Sequence, residues 1–202
     1  MPHTLRTLGW FACTVYSTIP AFWLMIHFRV DYWRSRGRSP YRVLVPVWVV
    51  MWIAAGLATL RWRSLTLYQE TRAWVPALAL FALGFWLYRK SGASFSTQQL
   101  YGLAELKIPD SEQRLVTTGI RASVRHPVYL GHLCEMLAWS VGTGLVVCFG
   151  LTVWAVASGA IMIRMEDVEL EERFGDSYRD YRNSVPALIP RLGRSASIIR
   201  HS

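Results

Sequence analysis

Paired cysteines are missing from this sequence. Cys13, Cys134 and Cys148 are its three thiols, all in apolar surroundings. An odd count without ligand-like spacing speaks against a disulfide framework or a zinc site. They read as small buried hydrophobes. A continuous basic face is missing too. The net charge of +9 comes from 22 Lys and Arg against 13 Asp and Glu, yet the cations sit between apolar blocks. No aromatics interleave with exposed Lys or Arg to stack on bases, so a nucleic-acid partner is not expected. The segment Ile198-Ile199-Arg200-His201-Ser202 carries no lipidation box, and no repeat or low-complexity segment stands out.

What the chain has in quantity is apolar residues, 52% of the total with ten Trp, arranged in runs. Gly9–Phe28 is uncharged for 20 residues, interrupted by Pro20 and His27. At about 1.5 Å per residue that length crosses a bilayer core. It has no small-residue cleavage site and exceeds a signal-peptide core, so a retained helix kinked at Pro20 is expected. Further runs follow at Val43–Leu60, Ala73–Tyr88, Tyr129–Val147 and Leu151–Ile163. The uncharged Cys148-Phe149-Gly150 reads as the tight turn of a helical hairpin. Trp10, Trp62, Trp74 and Trp86 lie near run ends, as in an interfacial aromatic belt.

These features predict an all-α, multi-pass membrane protein of about five spans. Residues 1–90 hold three N-terminal helices. Residues 91–202 hold a polar loop, a helical hairpin and a C-terminal amphipathic helix. With five spans, alternate loops place 18 basic residues on one side and 4 on the other. The positive-inside rule then puts the N-terminus outside and the long loop and tail in the cytoplasm, in a plasma or inner membrane. In the tail, Leu170, Phe174, Tyr178 and Tyr181 form one helical face, interrupted by Gly175. Glu169, Glu172, Arg173, Asp176 and Arg179 form the opposite, solvated face.

Four groups of residues are candidates for chemistry. Arg125-His126-Pro127-x-Tyr129 stands where the polar loop meets the fourth run. Pro127 suits the first turn of a helix, whose free N–H groups favour an anion. Interfacial snorkelling of Arg125 and His126 explains the same pattern. Glu166 and Asp167 lie just beyond the fifth run, where the hairpin would bring them beside His126. His132 and Glu135 share one face inside the fourth helix, with Tyr129 three residues earlier. Ionisable groups inside a membrane helix suggest function, with a mutual hydrogen bond as the alternative. Two such residues are too few for a metal site. Arg164, at the cytoplasmic end of the fifth helix, is a membrane-end anchor or a contact for a substrate anion.

Leu115-Val-Thr-Thr-Gly119 followed by Arg125-His-Pro-x-Tyr-x-Gly131 resembles the cofactor segment of the isoprenylcysteine carboxyl methyltransferases and bacterial phospholipid methyltransferase-like proteins. The tail adds the acidic pair 166–167, Phe174-Gly175-x-x-Tyr178-x-x-Tyr181, Val185-Pro186 and Ile189-Pro190. The resemblance covers the C-terminal half. It implies a membrane enzyme that uses S-adenosylmethionine, held by Gln113, Arg114, Leu115, Val116 and Gly119, by His126, Pro127, Val128, Tyr129 and Gly131, and by Glu166 and Asp167. Three departures are visible: Arg121 where many members have Tyr, Glu-Asp for the usual Glu-Glu pair, and Met162 where members carry an Arg that holds the prenylcysteine carboxylate.

Methyl transfer from a sulfonium is an in-line displacement, so the protein chiefly aligns the reactants and excludes water. The expected acceptor is a lipophilic small molecule or a prenylated or lipid substrate drawn from the membrane, offering a carboxylate, an amine or a thiol. An amine or thiol must lose a proton, and Glu135 or His132 would be the base. Two other readings fit the pattern less fully. One is a sterol-reductase-like membrane reductase using NADPH; the other is a non-catalytic membrane scaffold.

Overall fold

The computed structural model describes residues 3–35, 41–92 and 115–190. The expected residues Gln113 and Arg114 lie outside them. The described part is built of helices: α1 (His3–Ser17), α2 (Ile19–His27), α3 (Val30–Ser35), α4 (Tyr41–Thr59), α5 (Trp74–Gly92), α6 (Pro127–Thr143), α7 (Val146–Phe174) and α8 (Asp176–Ser184). Among the described residues, four segments are long and apolar enough to cross a membrane: His3–His27, Tyr41–Trp62, Thr71–Gly92 and Val146–Phe174. Helix α6, the fourth of the five runs in the sequence, has 17 residues and packs among α1, α5 and α7.

The first run is broken at Thr18, where Pro20 opens α2 in place of continuing α1. Proline lacks the N–H that a continuing helix would use and is at home in a first turn. The hairpin turn is displaced from its expected position. It falls at Gly144, whose φ of +66° ends α6, and Leu145, which caps α7. Cys148, Phe149 and Gly150 lie inside α7. The residue with left-handed backbone decides the turn, and the uncharged triplet supplies none. A loop secures this turn: Leu67 N–H donates to Gly144 O at 2.8 Å and Val146 N–H to Leu65 O at 3.0 Å.

Apolar burial does little to hold helices together in lipid, where packing and interhelical hydrogen bonds take over. Cys13, Tyr129, Leu133, Met136, Cys148, Ala155 and Met162 form the packed centre between α1, α6 and α7. Trp48 donates to Thr18 at 2.9 Å, Trp10 to Thr59 at 3.0 Å, and Ser140 and Thr152 share a hydrogen bond of 3.1 Å. Each such bond contributes about 0.6 kcal/mol, up to about 1.7. Val43, Val50, Ile53 and Leu57 leave α4 with an exposed apolar face, suited to lipid.

Helix α7 runs for 29 residues, about 43 Å at 1.5 Å per residue, and so outlasts a bilayer core. Its last turns carry the acidic residues. Gly175, at φ +59° and ψ −134°, then breaks the tail helix where the sequence pattern places the interruption. Tyr178, Tyr181 and Val185 pack with Leu115, Leu170 and Phe174, the expected apolar face. One member of the opposite face departs from expectation: Glu169 is 8% exposed. It is buried because α2 ends against it, as described below.

Candidate active site

The site starts at the entry to α6. His126 is the residue before the helix, and Pro127 occupies its first turn. The first N–H groups of any helix have no partner inside it, so this end offers donors and partial positive charge. A tight turn over Gly119–Ala122, with φ of +64° at Gly119, leads the chain in.

The end of α7 brings carboxylates to this point. His126 Nδ1 lies 3.2 Å from Glu166 Oε2, and Nε2 lies 3.5 Å from Asp167 Oδ1. Burial alone would push the imidazole toward neutrality. The two carboxylates outweigh that and raise it from about 6.5 to about 9. His126 is therefore a cation at neutral pH, a charge buried between two opposite ones. Arg125 Nε is buried without a hydrogen-bond partner, and His126 Nε2 has the long ion-pair contact to Asp167 alone.

The tail closes the third side. Arg125 donates through one terminal nitrogen to the carbonyls of Arg182 (2.9 Å) and Val185 (2.8 Å), and through the other to Asp167 Oδ2 at 2.8 Å. The backbone N–H groups of Arg125 and His126 donate to Pro186 O at 2.9 Å and Ala187 O at 3.0 Å. Tyr178 donates to Asp167 Oδ1, and Tyr181 to Arg121 O at 2.8 Å. Burial and the Asp167 carboxylate push the Tyr178 phenol up, and burial pushes Tyr181 up to about 12, so both remain donors. Burial also lowers the Arg121 guanidinium.

The structure thus gathers His126, Pro127, Glu166 and Asp167 in one place. Leu115, Val116 and Gly119 lie on the chain entering it, with Leu115 packed on the α8 aromatics. Val128 is half-buried in the first turn of α6. Tyr129 points into the helix packing, where its hydroxyl donates to Ala155 O. Gly131 faces the Tyr88 ring. Arg164 is exposed.

Glu135 and His132 belong to a second polar cluster between α1, α5 and α6. Tyr16 donates to Glu135 Oε2. The His132 ring lies 5.2 Å from that of Tyr16 and 5.4 Å from that of Tyr88. This is a partner on another helix, one of the readings open from the sequence.

Sequence reasoning missed a third pair. His27 Nδ1 lies 2.6 Å from Glu169 Oε2, with both side chains buried. One signal was present: His27 is the ionisable residue inside the first apolar run. Its partner is 142 positions away, and no local pattern announces it. The Arg125 contacts to tail carbonyls were likewise invisible, since any residue supplies a carbonyl.

The phospholipid methyltransferase family profile matches residues 73–177, just over half of the chain. The chain belongs to the phospholipid methyltransferase family. The matched segment contains both halves of the His126–Glu166 contact. Among similar proteins is a protein-S-isoprenylcysteine O-methyltransferase of Schizosaccharomyces pombe, 34% identical over 56% of this chain and 48% of its own length. The mouse protein of that name is 27% identical over 69% of this chain and 48% of its own. Methanethiol S-methyltransferase 2 of Bradyrhizobium diazoefficiens is 30% identical over 73% of this chain and 51% of its own. The chain spans about half the length of these relatives. No solved structure is a significant match.

Proposed function

We propose that this member of the phospholipid methyltransferase family transfers a methyl group from S-adenosylmethionine to a lipophilic or membrane-associated acceptor at the cytoplasmic face of the membrane. The observation that carries the reading is the His126–Glu166 contact, which joins two distant parts of the family segment. The names of the similar proteins support the reaction class: each methylates a thiol or a prenylcysteine. The excess of basic residues on the side holding this site supports the cytoplasmic assignment.

The residues present fit the cofactor. Its amino-acid end carries a carboxylate and an ammonium group. The donors at the start of α6, with the unpartnered Arg125 Nε, suit the carboxylate. Glu166 suits the ammonium. When bound, the cofactor supplies an electrophilic methyl group on a sulfonium. The protein then has to hold, orient and keep dry. Arg125 fixes the tail over the site, His126 fixes both carboxylates, and Asp167 holds Arg125 and Tyr178. Leu115, Val116, Gly119, Pro127 and Val128 shape the entrance.

Glu135 and His132 serve the helix bundle in this reading, tying α1 and α5 to α6, and Tyr129 joins α6 to α7. Arg164 contacts acceptor or lipid at the exposed membrane end. Calorimetric titration of the purified protein in lipid nanodiscs with S-adenosylhomocysteine tests the proposal. Binding that is lost in His126→Ala and Glu166→Ala is expected. Absence of binding by the wild type, or binding indifferent to both substitutions, rejects it.

A further inference from the structure

At the end of α6 opposite His126, the loop over residues 60–73 lies across the Gly144 turn and meets the first turns of α1. Four arginines stand there, Arg6, Arg61, Arg63 and Arg72, with Glu70 as the carboxylate of the loop. Among the described residues, none of the four is in an ion pair. Arg6 is half-buried, and its Nε is buried without a hydrogen-bond partner. One of its terminal nitrogens donates to Gln69 Oε1 at 2.6 Å, and Gln69 donates to Thr66 Oγ1 at 3.3 Å. Trp10 follows Arg6 by one turn on the same face of α1 and donates to Thr59 at the end of α4. The Arg63 guanidinium lies 5.9 Å from the Trp10 ring centre, and that of Arg61 lies 5.2 Å from the Trp62 ring.

Most arginines at a membrane end keep the guanidinium in water. Arg6 has part of it out of water and no carboxylate beside it, so an external anion stabilises it. Hydrogen bonding to Gln69 and stacking on Trp10 hold Arg6 and Arg63 in place, which lowers the ordering cost of binding. Leu65 and Leu67 are 52% and 64% exposed beside them, and Trp62 is 46% exposed. This apolar border suits an acyl chain more than a soluble anion. With the His126 site at the cytoplasmic face, these arginines lie at the end that the positive-inside rule leaves poor in basic residues.

We propose that Arg6 and Arg63 bind the phosphate of an anionic phospholipid, whose glycerol and upper chains rest on Trp62, Leu65 and Leu67. The planar guanidinium matches two phosphate oxygens at once. In a zwitterionic lipid the phosphate carries its own ammonium, so unpaired arginines favour a phosphate without one. The lipid joins α1 and α4 to the loop that secures the α6–α7 turn. Binding to the folded chain then stabilises the bundle by mass action.

The test titrates the full chain in detergent with phosphatidylglycerol or phosphatidylcholine and follows bound lipid by native mass spectrometry. Wild type is expected to hold one phosphatidylglycerol about twentyfold more tightly than phosphatidylcholine, since each arginine contributes about fivefold. Arg6→Gln and Arg63→Gln should each lose about fivefold, and the double variant the whole preference. Arg63 is exposed, so Arg63→Gln carries the test even where Arg6→Gln does not fold. Arg89→Gln removes an exposed charge at the other end of α5, beyond the reach of screened charges, and should stay within about twofold of wild type. Phosphatidylglycerol should also raise the unfolding midpoint of wild type, and raise it less in Arg63→Gln. A wild type without preference between the two lipids overturns the proposal. So does a preference that survives intact in Arg63→Gln, or one that falls as far in Arg89→Gln. Displacement of the lipid by an equal concentration of glycerol 3-phosphate marks a site for the free anion and overturns the lipid assignment.

Discussion

Arg125 and Asp167 are joined at 2.8 Å across the gap between α6 and α7, and the same guanidinium caps the carbonyls of Arg182 and Val185. One side chain thereby binds the loop, the acidic helix end and the tail. Removing one partner of such a buried pair leaves the other uncompensated and costs about 3–5 kcal/mol. Arg125→Met is expected to lose that much of the local stability and to expose the tail to protease beyond residue 182. Arg125→Met combined with Asp167→Asn should recover part of the loss, measured by thermal unfolding in detergent and by limited proteolysis.

The charge on His126 sets a pH dependence. Its folded value, about 9, exceeds the ordinary 6.5, so the native state binds the proton more tightly than the unfolded chain. The stabilisation is complete below about pH 6.5 and is lost as pH rises through about 9. A shift of that size corresponds to at most about 3 kcal/mol. Unfolding midpoints of wild type should decline over that window, and those of His126→Gln should stay nearly level there. A wild-type midpoint that rises with pH across the window would contradict the assignment.

Gly159 and Tyr129 form a matched pair. A Cβ on Gly159 would run into the Tyr129 hydroxyl and ring. Overpacking of a tight interface costs about 1–3 kcal/mol, so Gly159→Ala should lower the melting temperature in detergent. Tyr129→Phe keeps the ring carbons that clash and should not rescue it. Tyr129→Leu should, and a double-mutant cycle measures the coupling.

Tyr16→Phe removes the hydroxyl that Glu135 accepts from. A buried acceptor without its donor costs about 1–3 kcal/mol. Thermal stability is expected to fall by that amount while the affinity for S-adenosylhomocysteine stays unchanged. A large fall in affinity would place Glu135 in the binding site.

The long helices were legible because apolar runs report on lipid directly. The meeting of His126 with Glu166 and Asp167 was legible because two short motifs flank a hairpin whose length fixes their proximity. The turn itself was misread. Absence of charge marks a membrane interior as readily as a turn, and only the backbone of Gly144 separates the two. Glu169 was misread for a similar reason. On helical periodicity it belongs to the solvated face, and what buries it is α2, whose approach depends on packing in three dimensions. The Tyr16–Glu135 bond joins residues 119 positions apart, beyond any local pattern.

The carbonyls of Pro186 and Ala187 that accept the Arg125 and His126 N–H groups have a consequence for biosynthesis. These two carbonyls leave the ribosome 61 positions after the N–H groups that donate to them. The pocket therefore cannot close until α6 and α7 have both been made. Because main-chain groups make this last seam, it is indifferent to the side chains of residues 186 and 187 but sensitive to spacing. Losing a single residue between Gly175 and Pro186 would bring the wrong carbonyls to the seam and leave a fully inserted but unsealed protein.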